Sequence, residues 1–466
     1  MLLLLAIFSS CSKEELVGKL SLEEKEIAIA RDGKYDLLGF GYDVTGEYAN
    51  GATSKNQVLD IAKFDQAEPG RFLPNESNQQ QWLSNFGEDA VSYLSNQTDT
   101  VSSSLGLEGL FSTSLKVMTS DTNAFNAKYV YGSTDLTILK KSLSINATSA
   151  MLSNYVTPVF LADVSALTPA VLVSKYGTHV MTSIKLGGIL EILYRAETTN
   201  SNRALASEVG VKFSAFVVFN AGGGGSSYEA EAKKNYNQKL FYRTRGGLSE
   251  YGLVGTINLD GTPIPSLSIT SWQNSVKVEN SDLIGFGDDG LIPIYELVTD
   301  AAKKAALKSY IDQYIKQRQT KLRHEAVPVY IYYHSGAKDH ALQASTGTWP
   351  FESHGYAKLG IAFYAFDTQV EGTYPVHGYF NGQVNNHIFS IYNNDYDYSG
   401  NGYEDHGIYF YAYKSQLNGS TPISVFYSDA WVDNSYSIDR NKIPYPSTGY
   451  RYIGTNFYVF PTPVIM

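Results

Sequence analysis

The residues best suited to chemistry lie late in the chain, where seven of the eight histidines follow Arg323. A polar pair recurs there every 47 residues, as Asp339-His340, Asn386-His387 and Asp433-Asn434. Histidine and carboxylate groups are zinc ligands, but a threefold repeat is expected to separate the pairs on the surface rather than gather them around one ion. Aromatic strands beside short polar side chains are typical of sugar recognition. We therefore predict no metal and treat these six residues as candidate ligand contacts, the alternative being turn and core residues of the repeat.

The remaining histidine, His179, closes the tetrapeptide Tyr176-Gly177-Thr178-His179. A histidine after a Gly-Thr turn could act as a general base, but that role needs a nucleophile and a third group that orients the base. No serine or cysteine nucleophile can be assigned to it. The motif is therefore predicted to be structural, and the chain is predicted to have neither enzyme activity nor a cofactor.

Cysteine chemistry is confined to Cys11, which follows an apolar run from Leu2 to Phe8 and two serines. The run is shorter than the ~20 residues that a spanning helix needs, and it is typical of a signal peptide. The junction resembles a bacterial lipobox, although Phe8 and the missing basic region depart from that pattern. We predict a signal peptide over 1–11 with Cys11 lipidated, and the alternative is a free thiol.

The charged segment 12–32 is then a tether, and its first residues resemble the signal that sends Bacteroidetes lipoproteins to the cell surface. The expected location is extracytoplasmic, on the outer membrane and exposed at the surface or secreted.

The composition sets the class of protein. A chain of 466 residues with 43% hydrophobic residues is long enough for two or three domains. Its net charge of -10 argues against nucleic acid as a partner. The 36 tyrosines and 40 glycines indicate many strands and tight turns.

The C-terminal part, residues 327–466, is a threefold repeat. An amphipathic helix is predicted before it, because Leu307, Ile311 and Ile315 fall at helical spacing. The period of 47 residues links three Pro-Val or Pro-Ile pairs and three Phe-Tyr pairs, at Phe363-Tyr364, Phe410-Tyr411 and Phe457-Tyr458 among them. One such unit cannot bury its aromatic face alone, so three are expected to close around a pseudo-threefold axis. A β-trefoil and a β-prism both fit, and we favour the trefoil.

The central part carries a family resemblance. The tetrapeptide at 176–179 resembles the Tyr-Gly-Thr-His signature of the membrane attack complex/perforin (MACPF) family. Four further stretches follow that family's order, at residues 39–43, 245–247, 272–276 and 292–297. The likeness covers residues 33–325 and is similar to the lipoprotein branch found in gut Bacteroidetes. It implies an α+β domain, in which a bent antiparallel sheet is flanked by two helical clusters that uncoil into transmembrane hairpins, with many subunits closing a ring.

Two stretches have apolar residues at alternate positions, as a tilted membrane strand of ~9 to 11 residues requires. The same alternation is typical of any half-buried strand of a soluble sheet, so the pattern leaves both interpretations open. Position favours insertion, since one run precedes the signature and the other follows it, within segments 75–128 and 195–243. The candidate inserting residues are Leu105, Leu107, Phe111, Leu115 and Val117 in the first run, and Val209, Val211, Phe213, Val217 and Phe219 in the second.

Two glycine pairs are the candidate hinge. Gly187-Gly188 and Gly246-Gly247 are predicted to permit a sharp sheet bend and its later straightening, because glycine adopts backbone angles that are closed to other residues. His179 is predicted to form a hydrogen bond across that corner.

Two functions of different classes follow. The first is an antibacterial pore-forming effector, which oligomerises on a target membrane and inserts two β-hairpins per subunit while the C-terminal domain recognises a surface receptor or glycan. The second is a non-lytic surface lipoprotein for glycan binding, adhesion or nutrient uptake. Leakage from vesicles or cells separates the two.

Overall fold

The computed structural model describes residues 33–98, 110–121, 124–221, 228–261, 263–392, 397–442 and 449–466. The chain divides into two compact units between Leu322 and Arg323. We call them the N-terminal unit and the C-terminal unit.

The N-terminal unit contains two antiparallel sheets. The large sheet has the order β3-β4-β6-β7-β8, with β9 also paired to β6, and the small sheet has the order β10-β5-β1-β2. The strands are β1 (Phe40–Tyr42), β2 (Ser54–Gln57), β3 (Phe72–Gly87), β4 (Val130–Ile145), β5 (His179–Met181), β6 (Ser183–Thr198), β7 (Asn235–Arg245), β8 (Val254–Asn258), β9 (Asp282–Phe286) and β10 (Leu291–Pro293).

Ten α-helices accompany these strands in the described residues of the N-terminal unit. They are α1 (Ile61–Ala67), α2 (Ala90–Thr98), α3 (Ser112–Thr119), α4 (Ser149–Leu152), α5 (Pro158–Ala166), α6 (Pro169–Tyr176), α7 (Arg203–Phe219), α8 (Glu229–Ala232), α9 (Thr270–Ser275) and α10 (Ala301–Arg318). Local sequence fixes several of their starts. The side chains of Asn202 and Asp300 accept hydrogen bonds from the first turns of α7 and α10, and α5 and α6 begin with proline.

The large sheet is covered on both faces. On one face α7 packs Val211, Ala215 and Val218 against β4 and β6. The other face contacts α2 and α3, which contribute Leu94 and Leu115. A third core lies under the small sheet, and the predicted amphipathic helix is present there as α10, with Leu307, Ile311 and Ile315 buried.

The C-terminal unit contains three successive three-stranded antiparallel groups, of which the second and third are joined into one six-stranded sheet. In each, the first strand lies in the middle, so that the local orders are β12-β11-β13, β15-β14-β16 and β18-β17-β19. The strands are β11 (Val327–His334), β12 (Asp339–Ala344), β13 (Ala357–Ala365), β14 (Thr373–Asn381), β15 (Asn386–Ser390), β16 (Glu404–Tyr413), β17 (Thr421–Ser428), β18 (Asp433–Ser437) and β19 (Arg451–Val459).

Equivalent aromatic residues of the three repeats meet at the centre of this unit. Phe363, Phe410 and Phe457 form a triangle with ring centroids 5.5 to 6.2 Å apart. Phe366, Tyr413 and Phe460 form a second triangle at 6.0 to 6.3 Å. The predicted all-β pseudo-threefold arrangement is therefore confirmed, whereas a β-trefoil is not.

Candidate functional site

The signature tetrapeptide links a helix to the small sheet. Tyr176 ends α6, and its hydroxyl donates to Asp163 at 2.5 Å. Gly177 has φ +74°, and a Cβ atom there would lie 2.5 Å from the carbonyl of Tyr42. The Thr178 amide donates to the Tyr42 carbonyl at 3.0 Å, and the Val44 amide donates to the Thr178 hydroxyl at 3.2 Å. The motif therefore fastens β5 to the chain that follows β1.

His179 does not form a hydrogen bond across the bend at the two glycine pairs, so that prediction is wrong. It lies in β5, and its Nδ1 contacts the hydroxyl of the neighbouring Thr178 at 2.9 Å. The Nε2 atom is buried without a hydrogen-bond partner in the described residues. Burial lowers the pKa of His179 to about 4, although Asp43 acts in the opposite direction. The imidazole is consequently neutral at pH 7.

The two glycine pairs lie together where β6 changes its partner. Strand β6 pairs with β9 as far as Gly187 and with β7 from Ile189 onward. Gly246 and Gly247 follow the end of β7 with φ +69° and +79°. Their backbones are in direct contact, since a Cβ on Gly246 would lie 2.2 Å from the Gly187 carbonyl oxygen. We call these four glycines the glycine corner.

Irregular pairing continues from the glycine corner across the sheet. The register between β4 and β6 shifts between Leu139 and Lys141, beside Gly187. The register between β3 and β4 shifts between Glu76 and Gln79. Extra residues in neighbouring strands therefore fall on one line, which is where bulges bend a sheet.

Helix α9 covers the glycine corner. The Trp272 indole is buried and donates to the Gly246 carbonyl at 2.9 Å. A Cβ atom on Gly188 would lie 2.6 Å from Val276. The segment at 272–276, which carried part of the family resemblance, therefore packs directly on the bend.

The two candidate inserting runs lie in the connections between neighbouring antiparallel strands. Residues 88–129 join β3 to β4 and include α2 and α3; residues 199–234 join β6 to β7 and include α7 and α8. In the described residues neither run forms a strand of the sheet, since the second is helical throughout and the first is helical from Ser112 onward. The helical clusters implied by the resemblance are present.

The second run is packed as a helix although its sequence alternates as a strand does. In α7 the residues Val209, Val211 and Phe219 are buried. Phe213 and Val217 are only half-buried, although they share the alternation of the others. Gly210 and Ser214 lie on the buried face instead. Close packing against β4 and β6 thus uses the small residues.

The first run is described only in part. Leu105 and Leu107 lie outside the described residues. Phe111 is fully buried and precedes α3 with φ +58°, a conformation that is costly for a non-glycine residue. Leu115 is buried, whereas Val117 is 43% exposed.

A charged cluster that sequence analysis missed lies on the α2–α3 face of the large sheet. Glu191 in β6 contacts Arg243 at 2.6 Å and Arg245 at 3.1 Å, and Arg243 also contacts Glu47 at 2.7 Å. Burial alone would raise the pKa of Glu191, but the two guanidinium groups hold it below its usual value. Burial and the nearby Glu191 raise the pKa of Asp135 to about 8. In the sequence, this cluster could have been inferred from Glu191, a single glutamate within the apolar run 189–194.

The six polar candidates of the C-terminal unit form a closed, buried ring. The His387 amide and Nδ1 bind Asp339 at 2.8 and 2.6 Å, and His340 binds Asp433 in the same way at 2.9 and 2.6 Å. In the third junction the Asn434 amide donates to Asn386 at 3.0 Å. All six residues are at most 7% exposed.

The expectation that these pairs are separated on the surface is therefore wrong. The second strand of each repeat (β12, β15 or β18) carries its polar pair toward the pseudo-threefold axis, where the pair closes the junction with another repeat. Their polar groups satisfy one another, and a sugar could not reach them without opening the ring. The alternative interpretation as core residues describes them better than ligand contacts do.

The described residues contain no group of three or more histidine, cysteine or acidic side chains close enough to hold a metal ion. Within the same residues, no helix combines the length and the apolar character that crossing a membrane requires.

Comparison with known proteins identifies the family. The model of the MAC/perforin domain matches residues 30–322, which is more than half of the chain. The chain therefore belongs to the MAC/perforin family, whose fold is that of pore-forming proteins. A domain of unknown function, DUF5648, matches residues 328–460 and also 294–401.

Two solved structures are similar in fold. GNIP1Aa from Chromobacterium piscinae is 15% identical over 84% of both chains, with a TM-score of 0.50. A protein with a MAC/perforin domain from Bacteroides thetaiotaomicron is 19% identical over 66% of both chains, with a TM-score of 0.49. A search of curated proteins finds no match.

Proposed function

We propose that this protein forms pores. Subunits would assemble into a ring on a target membrane, and residues 88–129 and 199–234 of each would refold into two β-hairpins. The observation that carries the proposal is the position of these residues, since each connection joins two antiparallel neighbours. Both are longer than two membrane strands of ~9 to 11 residues each. Extension of β3–β4 and β6–β7 into hairpins therefore requires no strand to cross another.

The mismatch between pattern and structure in α7 supports the same proposal. Its valines are β-branched and have low helix propensity, and Gly210 lies in its interior. As a helix, it leaves Phe213 and Val217 half-buried. As a strand, the same residues would join Val209, Val211 and Phe219 on one lipid-facing side.

The glycine corner would serve as the hinge of the change. Straightening the sheet has to remove the register shifts beside Lys141 and Gln79, and glycine permits the backbone rotation this needs. The Trp272 segment that covers the corner has to move with it.

The remaining parts of the proposal concern location and target. Lipidation of Cys11 would hold the protein at the outer membrane surface, with release or display toward competing bacteria. The C-terminal unit would recognise a surface receptor or glycan through exposed aromatic residues such as Trp349, which is 51% exposed. The second candidate, a non-lytic surface binding protein, would use that recognition without insertion.

Two lysine substitutions in α7 test insertion. Val217 and Phe216 are adjacent and both half-buried in the helix, so a lysine at either position should be tolerated similarly by the soluble fold. In a strand they would point to opposite sides. Val217→Lys would place a charge in lipid, at a cost of about 2–4 kcal/mol near the midplane. Phe216→Lys would place it in the lumen.

The measurement is dye release from vesicles of phosphatidylethanolamine and phosphatidylglycerol, and from bacterial target cells. We expect Val217→Lys to lower the release rate at least about tenfold, while Phe216→Lys stays near wild type. Equal loss in both variants, or in neither, contradicts insertion of this run. Binding of the wild-type protein without any release supports the non-lytic candidate.

A further inference from the structure

The turn at residues 43–48 lies between the signature motif and the first helical cluster. Its own fold is fixed locally, because the Asp43 carboxylate accepts from the Thr45 amide at 2.9 Å and the Gly46 amide donates to the Asp43 carbonyl at 2.9 Å. We call it the Asp43–Tyr48 turn.

This turn holds the start of α3 through three hydrogen bonds. The Phe111 amide donates to the Val44 carbonyl at 2.9 Å. The Thr113 hydroxyl donates to the Thr45 carbonyl at 2.9 Å, and the Tyr48 amide donates to the Ser114 hydroxyl at 2.7 Å. The Phe111 and Tyr48 rings also pack edge to face, 5.1 Å apart. These contacts hold Phe111 in its strained conformation.

The other side of the turn is held by the signature. The Val44 amide, directly beside the carbonyl that binds Phe111, donates to the Thr178 hydroxyl at 3.2 Å. Thr178 is fully buried. Helix α10 and the sheet add a contact each, since Tyr314 donates to Asp43 at 2.7 Å and Glu47 pairs with Arg243 at 2.7 Å.

The second cluster is held by different groups. The Asn235 side chain donates to the Ala206 carbonyl in α7 at 2.9 Å. Arg203, at the start of α7, donates at 3.0 and 2.7 Å to the carbonyls of Glu88 and Ala127, which lie near the two ends of the 88–129 connection and outside α3. Loosening the Asp43–Tyr48 turn should therefore affect α3 and leave α7 in place.

We propose that Thr178 and the Asp43–Tyr48 turn form a latch that controls the release of α3 separately from α7. As a step in insertion, the latch rests on the proposed pore-forming function; as a coupling within the folded protein, it does not. Thr178 acts here as a positioning residue: it holds the amide of Val44, and the carbonyl of the same residue holds Phe111. The signature motif is thereby connected, through Val44, to Phe111 in the first inserting segment.

Hydrogen exchange of the full chain in solution tests the latch without a membrane. Thr178→Val keeps the shape of the side chain and removes its hydroxyl. The hydroxyl also contacts His179 Nδ1 at 2.9 Å and donates to the Tyr42 carbonyl at 3.3 Å. Loss of its bond to the Val44 amide should speed exchange of peptides from α3 about fivefold, with α7 unchanged. The matched control is Thr182→Val, because Thr182 is equally close to β5 and buried, but its hydroxyl donates to the Asp289 carbonyl at 3.1 Å.

A second variant acts from the other side. Ser114→Ala removes the acceptor for Tyr48 and leaves β5 intact, so it should fold even where Thr178→Val does not. It should speed α3 exchange by a similar factor. The double variant should speed α3 exchange more than either single variant does. The factor should be smaller than the product of the two single factors, because both substitutions release the same helix. Exchange that is unchanged in α3, or raised equally in α7 or by Thr182→Val, overturns the latch.

Dye release from the same vesicles then separates the latch from the pore. Faster α3 exchange with a faster onset of release supports both. Faster α3 exchange without any release from wild type or variant leaves the latch standing and contradicts pore formation.

Discussion

The backbone of Gly246 lies directly against that of Gly187: a Cβ atom on Gly246 would approach the Gly187 carbonyl oxygen to 2.2 Å. Gly187 is equally confined on its other side, because its own Cβ would lie 1.9 Å from the carbonyl oxygen of Ile138. Three strands of the large sheet therefore meet backbone to backbone at the point where β6 exchanges β9 for β7. No side chain fits between them.

Gly246→Ala should therefore destabilise the N-terminal unit by more than its backbone angle accounts for. The positive φ costs a non-glycine residue about 1–2 kcal/mol, and overlap with a carbonyl oxygen adds to it. The control is Gly70→Ala, since Gly70 has φ +79° with open space around it. Thermal unfolding checks the difference. A folded Gly246→Ala or Gly187→Val variant that releases dye at the wild-type rate speaks against the hinge.

Lys141 should anchor the start of the N-terminal unit to the irregular line in the sheet. Its ammonium group donates to the Gly33 carbonyl at 2.6 Å and to Asp36 at 2.8 Å, with the two side chains 8% and 14% exposed. Asp36→Asn leaves a buried ammonium without its counter-charge, so we expect a loss of about 2 kcal/mol in unfolding free energy.

The control for this ion pair is Lys34→Met, which breaks the contact with Asp65. Lys34 is 62% exposed on its side chain, and exposed pairs contribute little. Urea unfolding measures the unfolding free energy of both variants, and hydrogen exchange of β4 peptides measures the local stability around Lys141. Equal losses would show that Lys141 is no anchor.

In the buried ring of the C-terminal unit, the Asp–His pair of one junction can be replaced by the Asn–Asn pair of another. Asp339→Asn alone should destabilise the unit, because Asp339 accepts from the His387 amide, its Nδ1 and the Tyr356 hydroxyl. Adding His387→Asn should restore part of the loss, since the double variant copies the native Asn386–Asn434 junction. Thermal unfolding of the wild type, the two single variants and the double variant gives the coupling energy. A double variant less stable than the sum of the single losses would contradict this account.

His179 should make the N-terminal unit less stable in mild acid. Its pKa is about 4 in the folded state and near 6.5 when unfolded. Between these values the unfolded chain binds a proton that the folded chain refuses, so unfolding becomes easier as the pH falls. The expected loss from pH 7 to pH 5 is about 2 kcal/mol. Acid at pH 5 would thus favour opening around β5.

The quantity to measure is the difference in unfolding free energy between wild type and His179→Gln. Wild type alone is not sufficient, because Asp135 changes stability with pH in the opposite direction. The pKa of Asp135 is raised to about 8, so its protonation stabilises the folded state as the pH falls. Urea unfolding at pH 7 and pH 5, read from β5 and β6 peptides, gives the difference. His354→Gln, at an exposed position, is the control. No pH dependence in the difference would contradict the burial of a neutral imidazole.

Several features of the fold were predictable because they are local or periodic. The helix at 301–318 follows from the spacing of Leu307, Ile311 and Ile315, which all face one core. The threefold unit follows from matches at one offset, since a repeated sequence folds into a repeated unit that has to bury its aromatic face against its copies. The signature and its companion stretches indicated the family.

The sequence by itself therefore determined the repeat, the family and the order of the segments around the signature. Tertiary structure alone decided that the alternating run at 209–219 is helical, because packing of Gly210 and Ser214 against the sheet outweighs its local preference for a strand. It also decided that the Asp339 and His387 side chains turn inward to bind each other. Spacing along a chain shows which residues are equivalent, but not which side of a repeat faces the axis; that depends on contacts between residues 48 positions apart.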